Sequence, residues 1–188
     1  MPLGFLLVVI SACHAPAHTL PGVARCIMSL AAYLTIVAER QGPIHGSVTQ
    51  KGRENKSLVI GVQHEIVCPR DPQSGIPTGR RLHKPFTIKK ELDKATPLLM
   101  AALCTNENLP EVRIEFWTAG PTGQEKQHYT VRLTNANISG ITFKKANIRS
   151  PKLVRFPEYE EVAFTYEKIE WTWTEGGITA GDDWETPR

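Results

Sequence analysis

Residues 79–102 read GRRLHKPFTIKKELDKATPLLMAA, and their character changes along the stretch. Basic side chains crowd the first two-thirds, whereas the last third is almost wholly apolar. Phe86 and Ile88 share one parity while Lys89 takes the other, which is the alternation of a half-buried strand. We therefore expect a strand at residues 85–89, with its Lys and Arg side chains in water, and then a short helix.

The helix has recognisable ends. Thr96 is a good N-cap, and Pro97 suits the first helical position, where its missing N–H costs nothing. Asn106 can end the helix. Because residues 98–104 (LLMAALC) are apolar on all sides, they predict a helix plugged into the core. Cys104 is then expected to be a small buried hydrophobe.

The remainder of the chain predicts mostly β-strands. Pro121 and Gly123 give turn chemistry to the link between two of them, which predicts a hairpin, and Gly176 and Gly177 predict a second hairpin near the end. The sequence therefore indicates a mainly β fold. Its candidate strands are residues 31–37, 58–67, 112–118, 129–133, 136–145, 162–174 and 178–180.

The candidate strand at residues 162–174 changes phase. Strict pleating cannot place all of its large side chains on one face. Either a bulge lies near Glu167 and Lys168, or the strand is buried on opposite sides along its length. In the first half the large side chains stand at even positions, and in the second half they stand at odd positions. The residues are Val162, Phe164 and Tyr166, followed by Ile169, Trp171 and Trp173.

Residues 69–83 (PRDPQSGIPTGRRLH) form a long connection rich in Pro and Gly. A connection of this length without secondary structure is uncommon in a compact domain unless it has a function. Because the prolines restrict its freedom, we expect a long extended loop that acts as a semi-rigid arm.

The composition of the 188 residues fits one folded domain, and the net charge of +3 is too small to imply a polyanion partner. The charge is unevenly distributed, however. Residues 80–94 hold six Lys or Arg against two acids, and residues 158–175 hold six acids against one Lys. A chain with one basic and one acidic region can associate with copies of itself.

Catalytic and ligand-binding motifs are missing from the sequence, which lacks phosphate-binding loops, a nucleophile elbow and HExxH. His64 and Cys68 could share a strand face, but a metal needs two further ligands. The only predicted helix is apolar, so a DNA-recognition helix is missing. We expect no enzyme activity, no cofactor, no metal and no nucleic-acid partner. The tryptophans near the end favour packing over a ligand cage.

Residues 1–27 stand apart from the rest of the chain. Their apolar run at residues 3–12 is too short to span a bilayer and has no preceding basic residue of the kind that a secretory leader carries. We favour Met28 as the physiological start and keep a leader as the alternative, since residues 10–13 (ISAC) are similar to a lipoprotein processing box. The four cysteines form no CxxC, which fits a reducing compartment.

Three motifs resemble one family. They are TGRRLHKPFTIKKELDKATPLL at residues 78–99, IEFWTAGPTGQEKQHYTVRLTNANI at residues 114–138 and YEKIEWTWTEGGITAGDDW at residues 166–184. Together they resemble the haemolysin-coregulated protein (Hcp) family of bacterial type VI secretion. The resemblance covers residues 28–188, and residues 1–27 depart from the family pattern.

The resemblance implies a β-barrel of two packed sheets with one short helix alongside. It implies that six copies close into a ring and that rings stack into a tube inside a contractile sheath, capped by a VgrG-type spike and carrying effector proteins. Such a protein is cytoplasmic before firing and is then secreted, without a membrane anchor. The alternatives are a contractile phage-tail-like tube protein and a ligand-binding β-barrel module.

The charged residues of the arm and of the last strand are the candidate contacts between copies. We expect Arg80, Arg81 and Lys84 to meet acidic partners across a subunit or ring boundary, where such pairs set specificity more than affinity. The full candidate set for the ring or stacking interface is Arg70, Asp71, Arg80, Arg81, Lys84, Asp182 and Asp183.

Overall fold

A computed structural model describes residues 29–120, 123–149 and 157–184, so the expectations for residues 1–27 lie outside the described residues. The described chain contains ten strands and one helix. They are β1 (Ser29–Ala38), β2 (Gly42–Ile44), β3 (Ser57–Gln63), β4 (Ile66–Val67), β5 (Leu82–His83), β6 (Phe86–Glu91), α1 (Thr96–Cys104), β7 (Leu109–Ala119), β8 (Glu125–Lys144), β9 (Tyr159–Trp173) and β10 (Ile178–Asp183).

Six strands close into a barrel in the order β9, β6, β3, β1, β7, β8, with β8 pairing back to β9. All of these pairings are antiparallel. The predicted mainly β barrel with one short helix is therefore confirmed, and its wall is one continuous hydrogen-bonded sheet. β2 extends the wall on β1, and β10 extends it on β9.

Both predicted hairpins are present. β7 pairs with β8 across the turn that contains Gly123 (φ +80°), and β9 pairs with β10 across Gly176 and Gly177, whose φ values are +90° and +66°. The two strands predicted at residues 129–133 and 136–145 are one strand, β8. They join because Asn135 adopts a left-handed φ of +48°, which twists the strand without ending it.

The phase change on β9 lies between Tyr166 and Ile169, which are both buried. The partner strand β8 changes parity at the same level, between Leu133 and Ala136. All four side chains belong to one core. The strand is therefore not buried on opposite sides along its length.

The pairing register of β8 and β9 does not slip at this level, and its one shift lies between Ile138 and Gly140. A bulge on β9 alone near Glu167 and Lys168 would shift the register there. Instead, both strands twist together at Asn135, whose side-chain amide donates to Glu167 Oε2 at 2.6 Å.

The core fills the barrel with aliphatic and aromatic side chains from every wall strand. Each large side chain removed from water contributes about 1.5–3 kcal/mol. The largest fully buried apolar members are Phe86, Ile88, Leu99, Leu109, Val112, Ile114, Leu133, Val162, Phe164 and Ile169.

The helix α1 packs on the barrel with one side only. Leu99 and Ala102 are buried, but Leu98 is 40% exposed and Cys104 is exposed. The expected helix plugged into the core, with a buried Cys104, is wrong. The buried side chains of α1 join the core of the barrel and the helix contacts β8, so its opposite face stays in water whatever its composition.

The predicted end of α1 is confirmed. Asn106 has a φ of +47°, and its N–H donates to Leu103 O at 3.1 Å. The next N–H, that of Glu107, donates to Ala102 O at 2.9 Å. These two bonds form a Schellman motif, in which Asn is a tolerated substitute for Gly.

A buried ion pair ties α1 to the barrel wall. Lys90 on β6 and Glu160 on β9 are both 0% exposed, lie opposite each other in the ladder and meet at 2.7 Å. Lys90 Nζ also donates to Asp93 Oδ1 at 2.7 Å and to Thr96 Oγ1 at 3.3 Å. The expectation that the cations of this stretch lie in water is therefore wrong for Lys90.

Thr96 does not cap the helix with its side chain, because α1 begins at Thr96 and Ala95 is its N-cap residue. The Thr96 hydroxyl instead donates to Glu160 Oε1 at 3.0 Å and accepts from Asp93 N at 3.2 Å. The predicted Thr96 cap is wrong because the Thr96 hydroxyl is hydrogen-bonded to the buried carboxylate of Glu160.

A second buried cation closes one end of the barrel. Arg53, in the loop between β2 and β3, is buried with its guanidinium carbon 3.7 Å from the ring centroid of Trp117. Arg53 Nη1 donates to the Tyr33 hydroxyl at 3.0 Å, and Nη2 pairs with Glu125 at 2.6 Å. The loop is thus fixed to β1, β7 and β8 together.

We predict that Lys90→Met lowers the free energy of unfolding by about 3–5 kcal/mol, because it leaves the Glu160 carboxylate buried without its charge partner. The matched control is Lys89→Met. Lys89 is the next residue, and its ion pair with Glu161 at 3.0 Å is exposed. We expect the control to cost at most about 1 kcal/mol.

Urea unfolding measures both variants. Adding Glu160→Leu to Lys90→Met should recover most of the loss, because an apolar pair needs no charge compensation. Equal losses for Lys90→Met and Lys89→Met would contradict this account of the ion pair.

Candidate assembly surface

The predicted arm exists, and it contains secondary structure. β4 and β5 pair at its base, and Arg70 and Pro77 form an isolated bridge further out. Residues 66–83, called the arm below, therefore form a two-stranded ribbon. The expected extended loop without secondary structure is corrected in this respect. Almost all side chains of residues 68–80 are exposed, and Ile76 is 64% exposed.

A carboxylate stabilises the tip of the arm. Asp71 Oδ1 accepts hydrogen bonds from Gln73 N at 2.9 Å and from both the backbone N and the hydroxyl of Ser74, at 2.7 and 2.9 Å. These bonds lower the pKa of Asp71. Arg70 Nη1 donates to Gly75 O at 3.0 Å. Arg70 and Asp71 thus shape the turn, and a contact with another copy stays a prediction for both.

Arg81 and the two last-strand aspartates meet within one chain. Arg81 Nε pairs with Asp182 Oδ2, and Arg81 Nη2 donates to Asp183 O at 2.6 Å. From the sequence, Arg81 is expected to meet acidic partners across a subunit or ring boundary, and such a contact stays a prediction. Here the pair instead joins the base of the arm to β10.

The remaining candidates are more exposed. Lys84 Nζ pairs with Glu65 Oε1 at 2.8 Å across the base of the arm, and about half of each side chain is in water. Arg80 is exposed. Their role in an interface stays a prediction.

A chain of aromatic and imidazole side chains lies beneath the arm, and the sequence reasoning did not single it out. His64 Nε2 and His83 Nδ1 contact the Tyr166 hydroxyl at 2.7 and 2.8 Å. His83 Nε2 contacts Asp182 Oδ2 at 2.8 Å. The four residues come from distant parts of the chain, so local sequence pattern carries no indication that they meet.

Burial controls the proton affinities in this cluster. Removal from water, with a smaller effect of the charge on Asp182, raises the pKa of Tyr166 well above its usual value. Burial, and then the neighbouring His83, lower the pKa of His64. Burial alone would raise the pKa of Asp182, but hydrogen bonds from Arg81 and His83 outweigh it and lower that pKa.

The unequal charge of the two sequence regions is largely neutralised inside the chain. β6 lies beside β9, so Lys89 pairs with Glu161 and Lys90 with Glu160. From the sequence, the basic and the acidic region were each expected to be available to a neighbouring copy. This expectation is corrected for these two ion pairs, which form within one chain. The β6–β9 ladder brings the basic and acidic segments together.

The tryptophans of the last hairpin have different neighbours. Trp171 packs against the core, and Trp184 lies beside His83 with ring centroids 5.3 Å apart. Trp173 contacts His128 at 5.6 Å between centroids. These contacts agree with packing. Among the described residues, no group of His, Cys, Asp and Glu side chains is arranged to hold a metal ion.

The outer edge of β10 is open. β10 pairs with β9 on one side, and within the described ranges no strand lies against its other side. An unpaired edge is a template for pairing with another chain. Exposed Ile178 and half-exposed Trp173 lie at the same hairpin. The described part of the chain contains no helix that is both long and apolar enough to cross a bilayer.

A closed barrel with an exposed ribbon and an open strand edge defines a class of small β-barrel proteins. Comparison with known proteins specifies the class further. Residues 33–173 match the family profile described as type VI secretion system effector, Hcp. The chain therefore belongs to the Hcp family, and it is a structural protein of type VI secretion.

Individual relatives agree with this assignment. The major exported protein of Pseudomonas aeruginosa is 40% identical over 169 residues, covering 85% of this chain and 98% of that protein. Secreted protein Hcp3 of the same species is 32% identical with a TM-score of 0.68, over 85% of this chain and 100% of that one. Hcp1 from Escherichia coli EAEC 042 is 28% identical with a TM-score of 0.73, over 82% and 99%.

We predict that Arg81→Ala lowers the free energy of unfolding by about 1.5–3 kcal/mol, because a charged hydrogen-bonding group is lost from Asp182 and from the Asp183 carbonyl. Arg80→Ala is the matched control, since its side chain is exposed, and we expect a change within about 0.5 kcal/mol. Chemical denaturation measures both. A larger loss for Arg80→Ala than for Arg81→Ala would contradict the pairing within one chain.

Proposed function

We propose that six copies of this chain close into a ring and that rings stack into the inner tube of a type VI secretion apparatus. The observation that carries the proposal is the combination of family membership with a closed barrel that leaves a ribbon and a strand edge exposed. A barrel alone is a complete fold. The exposed elements give it a means of joining to other copies.

Ring closure needs a heterologous contact, in which one patch of a copy meets a different patch of its neighbour. The outer edge of β10 at residues 178–181 is one such patch, because an edge strand can extend the sheet of the next copy. Exposed Ile178 adds apolar area beside it. We propose this hairpin as part of the contact within a ring.

Stacking of rings is proposed for the arm. The Asp71 turn and the β4–β5 pairing hold the arm in one conformation, so it loses little entropy when it docks. Exposed Ile76 gives it an apolar tip, and Arg70, Arg80 and Lys84 supply polar groups around that tip. The arm thus has the chemistry of a small preformed interface.

The outer face of β7, β8 and β9 suits the wall of a passage. Its charges are paired, Arg132 with Glu111 at 3.2 Å and Lys168 with Glu170 at 3.0 Å. A surface of mixed, paired charge exerts little net field on a passing protein. We propose that effector proteins travel in the lumen of the tube.

The further partners are also proposals: a contractile sheath outside the tube and a VgrG-type spike at its end. We propose that the chain is cytoplasmic until firing and is then exported, which agrees with the name of its relative, the major exported protein. A phage-tail-like tube protein stays the narrower alternative, and a ligand-binding barrel the more distant one.

Negative-stain electron microscopy of the purified full chain tests the proposal, and we expect annular particles. Ile76→Asp should reduce stacked particles at least about tenfold, because a buried charge at a contact costs more than 1.4 kcal/mol. Ile148→Asp is the matched control, since Ile148 is 66% exposed and lies outside the arm. We expect it to assemble normally.

Thermal unfolding of both variants checks that the barrel stays folded. A chain that remains monomeric at high concentration, without annular particles, would contradict the tube and favour the ligand-binding module. Equal loss of stacking in Ile76→Asp and Ile148→Asp would contradict the role of the arm in stacking, but it would not contradict the ring.

A further inference from the structure

Both ends of the arm are attached to the barrel through one hydroxyl group. His64 lies two residues before the arm begins, and His83 is the last residue of the arm. Both rings contact the hydroxyl of Tyr166 on β9. His83 has a second attachment, to Asp182 on β10, whereas among the described residues the side chain of His64 has its hydrogen bond to Tyr166. The two ends of the arm are therefore not held equally.

Proton counting fixes the direction of each bond when both imidazoles are neutral. An ionised Asp182 can only accept, so His83 Nε2 carries a hydrogen and His83 Nδ1 does not. The Tyr166 hydroxyl then donates to His83 Nδ1. Its oxygen accepts from Nε2–H of His64, so every member of the chain is satisfied.

The chain can take up one proton without losing a bond. A proton on His83 makes both of its ring nitrogens donors, so Nδ1 donates to the Tyr166 oxygen. The hydroxyl then turns its own hydrogen towards His64, whose Nε2 becomes the acceptor. All three contacts are kept, although two of them reverse direction.

A second proton leaves one hydrogen of the chain without an acceptor. With both imidazoles charged, His64 and His83 both donate to Tyr166, and the hydroxyl hydrogen has no acceptor among these groups. The rings are 6.1 Å apart between centroids, so the two positive charges also repel each other. Burial lowers the pKa of His64, which makes it the site of the second, unfavourable proton.

The surroundings do not compensate a charge on His64. Its ring packs against Phe86 at 5.1 Å and Trp171 at 6.3 Å between centroids, and both are apolar surfaces. Asp182 is engaged by Arg81 and His83. Within the described ranges, the titratable or charged groups around the two rings are Tyr166 on β9, Asp182 and Asp183 on β10, Arg81 and Lys84 beside β5, and Glu65 beside β4.

We propose that this hydrogen-bond chain is an acid-sensitive anchor of the arm. A charge on His64 as well as on His83 leaves the Tyr166 hydroxyl hydrogen without an acceptor among these groups and so weakens the attachment of the β4 end to Tyr166, while the β5 end stays attached through His83, Arg81 and Asp182. The barrel stays closed, because its ladders and its core contain neither histidine. In an assembled tube, a step that rests on the function proposed above, acid would loosen the contacts that the arm makes.

The sign of the pH dependence follows from the lowered pKa of His64. A base that binds its proton less well in the folded state contributes stability that is present above its unfolded pKa, about 6.5, and is lost as the pH falls below that value. The anchor is therefore intact at pH 7.5 and weakened at pH 5. The lowered pKa of Asp182 keeps its carboxylate charged over this range.

Hydrogen–deuterium exchange of the dilute, full-length chain tests the anchor independently of assembly. After correction for the intrinsic rate, we expect the amides of β4 and of Lys84, whose N–H donates to Glu65 O, to lose about tenfold in protection between pH 7.5 and pH 5. Amides of β7 and β8 should be unchanged. Unchanged protection of the arm, or equal loss over the whole barrel, would overturn the proposal.

A variant at His64 distinguishes the effect of protonating this side chain from a general effect of acid on the fold. His64→Gln keeps an N–H donor for the Tyr166 hydroxyl but cannot be charged, so its arm should stay protected at pH 5. His45→Gln, at an exposed histidine outside the cluster, is the matched control and should behave like the original chain. Loss of arm protection at pH 5 in His64→Gln, as in the control, would overturn the proposal.

Nitrogen-15 spectra of the original chain provide a measurement without substitution. At pH 7.5 both His64 and His83 should show hydrogens on Nε2, as the hydrogen-bond directions above require. A hydrogen on Nδ1 of either ring at pH 7.5 would contradict this hydrogen-bond chain.

Discussion

Lys90 and Glu160 face each other across the β6–β9 ladder with no access to water, and three parts of the fold meet at them. A buried ammonium is tolerable only when its donors are satisfied, and here Asp93, the Glu91 carbonyl and Thr96 complete the set. Asp93 also accepts from Ala95 N at 2.9 Å, which shapes the turn into α1. One charge pair therefore sets the strand neighbour, the turn and the position of the helix. An apolar pair would impose none of these.

The second feature on which the fold depends is a twist shared by the neighbouring strands β7, β8 and β9 at the same position along their ladders. Leu109 pairs with Ala136 and Val112 with Leu133, so the buried parity of β7 changes where that of β8 and β9 changes. Because the three strands change together, their ladders stay paired while the sheet bends. This bend allows a strand as long as β9 to pair with β6 in its first half and with β10 in its second.

Sequence pattern predicted the elements that depend on local chemistry: both hairpins, the end of α1 at Asn106 and the existence of an arm. It also held an unused indication, because Lys90 shares the parity of Phe86 and Ile88 and so falls inside the barrel. The His64, Tyr166 and His83 contacts could not be predicted, since they join residues about a hundred positions apart through the closure of the barrel. Cys104 was misjudged because composition does not show which face of a helix is covered.

The internal pairing of charges limits what can hold copies of the chain together. Arg81, Lys89 and Lys90 are engaged by acids of the same chain, so these cations are already neutralised when a neighbour approaches. Breaking such pairs to form new ones between copies gains little, because one ion pair replaces another. Specificity in a tube must then come mostly from backbone edges and from the shape and apolar tip of the arm. These contacts resist salt, whereas a protonation at the base of the arm changes the arm's position without altering the barrel that carries it.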